Sequence, residues 1–557
     1  MRLPAPGLNR LVSRAAVELH AVGTITRAGM VRVEPPWRVA AMARAMLRSG
    51  PLAGAITAAA GRHGDRTALV DDRGSVTFAD LERRSNALAR AWRDRGIGDG
   101  TGVGILCRNH RGFVDATLAC AKVGARALYL NTDFAAPQAR EVSARERVEA
   151  LVFDEEFAAV VAAVEARRGR FLAWIDTSAE EPTLEALIAD GDPSPPPAPP
   201  HPGTVVILTS GTTGTPKGAP RPAPRSLAGL GALLSKIPLR AGDAVSVAPP
   251  MFHAWGLANA ALALGMGSTV VMRRRFDPER LLDDLAEHGC AALVVVPVML
   301  QRLLALGDDT VRGRDLSALR IIAASGAQLD GALATRVMDV FGDRLYNLYG
   351  STEVAYATIA APEDLRAAPG CAGRPPFGTV VKLFDERGRE VPVGQTGRIF
   401  VGNPYQFSGY TGGGTKDVID GLMATGDVGH FDDGGRLFVD GRDDEMIVSG
   451  GENVFPREVE ELLATHAAIA DAAAIGVPDE QFGARLRAFV VLRRGQNLTA
   501  DEVQSFVRDN LARYKVPRDV VFLDELPRNP TGKVLKRELA AMDDGGPTGG
   551  SSESGGV

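Results

Sequence analysis

Thr204–Gly218 reads TVVILTSGTTGTPKG, and the chain is organised around it. Val205, Val206, Ile207 and Leu208 form an apolar run that predicts a buried strand. From Thr209 the run breaks into three glycines, four threonines, a serine, a proline and Lys217. Such a loop brings backbone N–H groups and hydroxyls close to an anion, because glycine removes the side-chain obstacle. It implies a polyphosphate-gripping loop on a strand end. The Walker A spacing fails, since Pro216 stands at the second glycine position and Gly218 follows the lysine. The alternative for the segment taken alone is a surface turn of small polar residues.

The 557 residues imply at least two domains. Hydrophobic content of 45% with 24% charged residues is that of a soluble globular chain. A net charge of −5 offers no footprint for a nucleic-acid partner. Cys107, Cys120, Cys290 and Cys371 are far apart, which fits a reducing, cytoplasmic setting and argues against a disulfide framework or zinc site. No apolar run approaches the roughly 20 residues of a spanning helix. Residues 1–50 hold eight arginines and two acids, Glu18 and Glu34. Leu8, Leu11, Val12, Ala15 and Leu19 share a helical face, so this basic extension reads either as a peripheral contact with an anionic membrane or as a surface helix packed on the main domain. A secretory signal is not expected.

Around the opening stretch, strands and helices alternate. A hairpin is expected at Ala68–Asp71 and Ser75–Thr77, then a helix capped by Thr77 and Asp80 with Leu81, Leu88 and Trp92 inward. Val103–Cys107, Phe113–Val123 and Ala127–Leu130 continue the β–α–β pattern. Pro193–Pro202 is a stiff connector, so the strand at Thr204 is expected to start a second sub-sheet. Strands at Ala244–Ala248, Thr269–Met272, Leu293–Val296 and Leu319–Ala323 follow. Beyond Gly441 the texture becomes that of a small α+β unit, with helices at Arg457–Thr465 and Ala500–Leu511 and strands at Asp471–Val477 and Arg487–Leu492. The Gly/Ser-rich end is expected to be disordered. The predicted fold is α/β: a basic extension (1–50), a large domain of layered αβ sub-sheets (51–441), a small α+β domain (442–540) and a tail (541–557).

Several further stretches occur in order: Ser325-Gly326-Ala327-Gln328, Tyr346–Glu353 (YNLYGSTE), Thr425-Gly426-Asp427, Gly441-Arg442-Asp443-Asp444, Ser449-Gly450-Gly451-Glu452, and Pro527-Arg528-Asn529-Pro530-Thr531-Gly532-Lys533. Together with Thr209–Gly218, they resemble the motifs of the adenylate-forming (AMP-binding) superfamily, which includes acyl-CoA synthetases. The resemblance implies a small domain that rotates on a hinge at Asp444, with ATP, Mg²⁺ and CoA as cofactor and co-substrates. It implies an ATP/AMP set of Thr209, Ser210, Gly211, Thr212, Thr213, Gly214, Lys217, Gly326, Ala327, Asn347, Tyr349, Gly350, Thr352, Asp427, Arg442 and Lys533. Tyr349 would stack on adenine, Thr352 touch the α-phosphate, and Asp427 with Arg442 hold the ribose hydroxyls. Glu353 and Thr209 would hold the metal, and Gly450 and Gly451 line the pantetheine channel. Lys533, Thr352, Glu353 and His253 are the implied catalytic residues. This chain departs from the family where Ser325 replaces a glycine, Gln328 a proline and Arg528 the closing motif's first lysine.

Pro249–Gly256 (PPMFHAWG) resembles the mouth of the family's acyl pocket. Amino-acid-activating relatives place an aspartate where this chain has His253, and neutral imidazole is a poor partner for an ammonium. Trp255, Val296, Met299 and Ala323 are apolar or small, which suits a fatty acyl chain of medium to long length. The expected activity is ATP-dependent fatty acyl-CoA synthesis through acyl-AMP. A fatty acyl-AMP ligase loading a carrier protein in trans stays open, as do an inactive acyl- or nucleotide-binding homologue and luciferase-type oxygenation. A homodimer is also open.

Overall fold

The computed structural model describes residues 6–31, 34–177, 181–209, 217–221, 226–407, 409–411, 413–443, 447–449, 452–454, 456–479, 483–511, 515–530 and 532–542. For residues 6–14, 209, 221, 448–449, 452–453 and 483 only the backbone is described. The chain divides into two compact units: Met1–Leu329, Leu333–Lys382 and Phe400–Thr425 in one, Asp330–Ala332, Leu383–Ile399 and Gly426–Val557 in the other.

The larger unit holds two sheets whose inner strands are parallel. The first has eight strands in the order Thr358–Ala360, Leu345–Tyr349, Ile321–Ala324, Cys290–Val295, Ala244–Val247, Thr269–Val271, Thr67–Asp71, Gly74–Thr77. The second has six, in the order Arg170–Trp174, Val148–Asp154, Gly102–Leu106, Arg126–Tyr129, Thr204–Thr209, Lys217–Arg221. Helices between the strands cover the sheets, as parallel pairing requires. The helix Phe78–Asp94 starts as expected, with Thr77 Oγ1 accepting from the Asp80 N–H at 3.0 Å. Leu81, Leu88 and Trp92 of that helix are fully buried.

Thr204–Thr209 does not open a new sub-sheet. It joins the six-stranded one, between Arg126–Tyr129 and Lys217–Arg221, with Thr204 in parallel register with Arg126. The early hairpin instead crosses to the eight-stranded sheet, where Leu69 pairs with Val270. The proline-rich connector makes this possible by running back over the helix Phe78–Asp94. Asn86 Nδ2 donates to Pro193 O (3.1 Å), Arg90 Nε to Ser194 O (3.0 Å) and Arg93 Nη1 to Pro197 O (3.2 Å). These bonds return the chain to the open edge of Arg126–Tyr129. The sheets are tied where Asp71 ends its strand. Its carboxylate accepts from Arg111 N–H, Nε and Nη2, at 2.9, 2.9 and 2.6 Å, at the first turn of helix Arg111–Val123.

Part of the N-terminal extension is structural. In helix Pro6–Arg27, Ala21 and Ile25 are buried with Ala28 against Leu234 and Met266. Helix Ala228–Lys236 approaches so closely that a Cβ on Gly231 would lie 2.5 Å from that of Ala21. Ala15 and Leu19 of the expected apolar face are exposed, and the side chains of Leu8, Leu11 and Val12 lie outside the described residues.

In the smaller unit, Ile469–Asp479, Gly483–Leu492 and Asp519–Leu523 form a three-stranded sheet. Helices Pro456–Ala464 and Ala500–Asn510 pack on it through Val459, Leu463, Val503 and Val507. The residues of the tail, 543–557, are outside the described set. Among the described residues no helix is long and apolar enough to cross a membrane. All four cysteines are buried free thiols.

Candidate active site

In the larger unit, the motif loops leave the carboxyl ends of neighbouring parallel strands, where open α/β sheets bind ligands. Ala244–Val247 leads to His253, Cys290–Val295 to Val296, Ile321–Ala324 to Gly326 and Leu345–Tyr349 to Glu353. The register sets Ala324 beside Asn347, so Ser325–Ala327 and Asn347–Gly350 are adjacent.

The turn after Tyr349 is tight. A Cβ on Gly350 would lie 2.2 Å from Ala355 O, so only glycine fits, and Ala355 itself has φ +64°. Tyr349 OH donates to or accepts from Thr425 Oγ1 at 3.2 Å. Glu353 is buried, 8% exposed, and its Oε1 accepts from Tyr410 OH at 2.7 Å. Lys217 Nζ stands over the same tyrosine ring, 5.4 Å from its centroid. Tyr410 therefore connects the carboxylate of the YGSTE turn to the lysine of the opening loop. The sequence reading missed it because nothing local marks a tyrosine 57 residues from its partner.

The strand carrying Lys217 is held to the same segment. Thr411 N donates to Gly218 O (2.9 Å) and Thr411 Oγ1 to Glu146 Oε1 (2.9 Å). A Cβ on Gly218 would lie 2.7 Å from Thr411 Oγ1 and 2.9 Å from Glu146 Oε2, which explains that glycine. Thr209 pairs with Lys217 at the mouth of the hairpin. Ser210, Gly211, Thr212, Thr213 and Gly214 lie outside the described residues, as does the side chain of Thr209.

His253 stands at the N-cap position of helix Ala254–Gly265 with an extended backbone and no side-chain capping bond, its ring 4.4 Å from that of Phe252. Asn109 fixes the preceding turn, a second residue the sequence reading missed. Its Nδ2 donates to Pro249 O (2.9 Å) and its Oδ1 accepts from Met251 N–H (2.8 Å). Trp255 Nε1 donates to Val295 O at 3.0 Å, which locks the indole beside the strand end. Val296, Met299 and Ala323 are buried, and Val296 Cγ1 stands 3.3 Å from where a Gly326 side chain would begin. Close by in sequence and buried, Tyr356 donates to Gly229 O at 3.3 Å, and burial pushes its phenol upward.

In the smaller unit, the Gly426–Phe431 part of strand Leu422–Phe431 pairs with Leu437–Arg442 and places Asp427 opposite Arg442, with Arg442 Nη1 3.5 Å from Asp427 Oδ1. Lys533 is exposed on a tight hairpin. Its N–H donates to Asn529 Oδ1 (2.9 Å), and Asn529 N–H donates to Lys533 O (2.9 Å). Arg528 is occupied structurally, with Nη2 on Asp471 Oδ2 at 2.6 Å and Nη1 on Gly532 O at 2.5 Å. It anchors the hairpin that presents Lys533. Asp444, Gly450 and Gly451 lie outside the described residues.

Two family models match, "AMP-binding enzyme" over residues 56–411 and "AMP-binding enzyme C-terminal domain" over residues 458–533. The fatty acid–[acyl-carrier-protein] ligase ScoC of Streptomyces coeruleorubidus is 31% identical, over 84% of this chain and 91% of its own. A feruloyl-CoA synthase of Amycolatopsis sp. is 35% identical, over 84% and 93%. The solved o-succinylbenzoate CoA synthetase (MenE) of Bacillus subtilis, in complex with its acyl-adenylate intermediate, superposes with a TM-score of 0.77 at 26% identity, covering 88% of this chain and 98% of that one. With its motif loops on adjacent strand ends and both family models matched in order, the chain belongs to the AMP-binding, adenylate-forming enzymes.

Proposed function

We propose that this protein is an ATP-dependent fatty acyl-CoA synthetase for medium- to long-chain acids. The class is that of an AMP-forming acid–thiol ligase using ATP, Mg²⁺ and CoA. The observation that carries the fatty-acid reading is the lining beside His253: the locked Trp255 indole with buried Val296, Met299 and Ala323 offers no charge to hold an ammonium or a second carboxylate.

In the first half-reaction a carboxylate oxygen attacks the α-phosphorus of ATP. A P–O bond forms, the α–β bridging P–O bond breaks, and pyrophosphate leaves. Tyr349 and Asn347 serve the adenine, Gly326 and Ala327 back it, and Asp427 with Arg442 hold the ribose. Lys533, a point charge on an anchored hairpin, stabilises the developing phosphate charge. Thr352 contacts the α-phosphate, and Lys217 supports the pyrophosphate gripped by Thr209–Gly214. Glu353 fits Mg²⁺, since it is a hard oxygen donor held in one orientation by Tyr410, with Thr209 as the second ligand. Mg²⁺ bound there neutralises phosphate charge. In the second half-reaction the CoA sulfur forms a bond to the acyl carbon, its proton leaves, and AMP departs with the mixed-anhydride oxygen. Gly450 and Gly451 line the thiol's approach, and Asp444 is the hinge between the two half-reactions, dividing domains 51–441 and 442–540.

A second reading has the acyl group passed to a carrier protein, as the name of the Streptomyces relative says of that protein. A hydroxamate assay with octanoate through oleate, ferulate and the amino acids, with CoA or a phosphopantetheinylated carrier as acceptor, tests both readings. Fatty acyl-CoA formation is the expected result. Adenylation confined to ferulate or to amino acids would overturn the substrate class, and thioester formed only on the carrier would overturn the acceptor.

A further inference from the structure

Helix Pro36–His63 is two pieces with different environments. Gly50 (φ +73°, ψ 176°) and Pro51 break it. After the break Ala53, Ile56, Ala58 and Ala59 are buried in the larger unit. Before it, residues 36–49 lie almost wholly on the surface. The piece folds back at Gly54, where a Cβ would sit 2.6 Å from Met46 Cα. It is moored by Arg48 Nη2 to Pro196 O (2.6 Å) and by Glu34 bridging Arg38 (3.6 Å) and Arg62 (3.1 Å).

The outward face is apolar where a surface helix is ordinarily polar. Val39, Ala43, Met46 and Leu47 follow the i, i+4, i+7, i+8 spacing of one stripe, with Leu47 84% and Val39 52% exposed. Trp37, 72% exposed, stands at the helix start. Leu19, Val22 and Val31 are exposed earlier in the same extension. Arg38, Arg44 and Arg48 flank the stripe, and no acidic residue occurs between Pro35 and Gly64. A folded soluble partner would have to bring its own acids to this face. An anionic lipid surface supplies negative headgroups above an apolar layer over the whole length of the helix.

We propose that residues 36–49 are an interfacial arm that lays Val39, Met46 and Leu47 into an anionic membrane surface, with Trp37 at the headgroup level and Arg38 and Arg44 against lipid phosphates. The Gly50–Pro51 break is what lets the arm lie on the surface while the rest of the helix stays in the core. The arm does not depend on which acid the enzyme activates.

The test is sedimentation of the full chain with phosphatidylcholine vesicles made with and without phosphatidylglycerol. Binding is expected only to the anionic vesicles and should weaken as salt rises. Brominated lipid should quench Trp37, because Trp92 and Trp174 are buried and Trp255 is packed against the core with its indole held to Val295 O. Val39→Glu with Leu47→Glu should lower the partition coefficient about tenfold or more. Both side chains are exposed, so ATP-dependent activation of a soluble acid should keep its rate. Failure of the unaltered chain to bind anionic vesicles at low salt would overturn the proposal. So would vesicle binding untouched by the double variant, or a dimer in light scattering that the variant dissociates without any vesicle binding.

Discussion

Tyr410→Phe removes one hydroxyl and keeps the ring. In the structure that hydroxyl donates to Glu353 Oε1 at 2.7 Å, on a carboxylate only 8% exposed. A hydrogen bond to a buried charged acceptor contributes roughly 1.5–3 kcal/mol. If the carboxylate's orientation is what the hydroxyl secures, kcat/KM for ATP should fall by about ten- to a hundredfold, at about tenfold for each 1.4 kcal/mol. The loss should appear as a higher Mg²⁺ requirement. The Phe407 edge contact at 4.8 Å and the Lys217 cation–π contact at 5.4 Å both need only the ring, so Tyr410→Phe should leave them in place. Tyr410→Leu loses the ring as well and should cost a further factor of about two to five through Lys217. The assay is pyrophosphate release titrated against Mg²⁺, with Glu353→Gln and the double variant completing a cycle. In the Glu353→Gln background the Tyr410→Phe effect should vanish. Equal Mg²⁺ curves for the unaltered enzyme and Tyr410→Phe, or fully additive losses in the cycle, would refute the reasoning.

Lys533→Ala should reduce acyl-AMP formation by about a hundred- to a thousandfold. Thioester formation from pre-made acyl-AMP should be nearly unchanged, and stopped-flow measurement of each half-reaction checks both. Gly218→Ala places a methyl 2.7 Å from Thr411 Oγ1 and 2.9 Å from Glu146 Oε2 and should destabilise the larger unit by about 1–3 kcal/mol, read by denaturant melts. For Asp71, burial raises the carboxyl pKa, but the Arg111 hydrogen bonds and charge outweigh it and hold the group below its ordinary value. Its stabilising contribution is therefore complete above the unfolded carboxylate pKa near about 4 and is lost as pH falls through the lower folded value. Asp71→Asn should flatten that acid limb in unfolding free energies measured from neutral to acid pH.

Much of the chemistry was legible from local order. Thr209–Gly218, YGSTE, Thr425-Gly426-Asp427 and the closing Gly532-Lys533 are contiguous and occur in one sequence order, so the family and its co-substrates followed from reading along the chain. The helix at Phe78 was equally legible, because Thr77 and Asp80 are three residues apart and settle its start between themselves. Arg528 shows the limit. Its charge matched the motif's lysine, but its position is decided by Asp471, 57 residues away, and it became an anchor.

The sequence by itself determined the strands and helices that periodicity and capping mark, the order of the motif loops and the types of group each loop brings. Only the tertiary structure decided that Thr204–Thr209 joins the six-stranded sheet while the earlier hairpin joins the eight-stranded one. It alone set Tyr410 between Lys217 and Glu353 and left the stripe of residues 36–49 uncovered. The physical reason is the same in each case. Periodicity and capping arise from neighbours a few residues apart, whereas sheet edges, buried hydrogen-bond partners and exposed faces depend on where the returning chain is pinned.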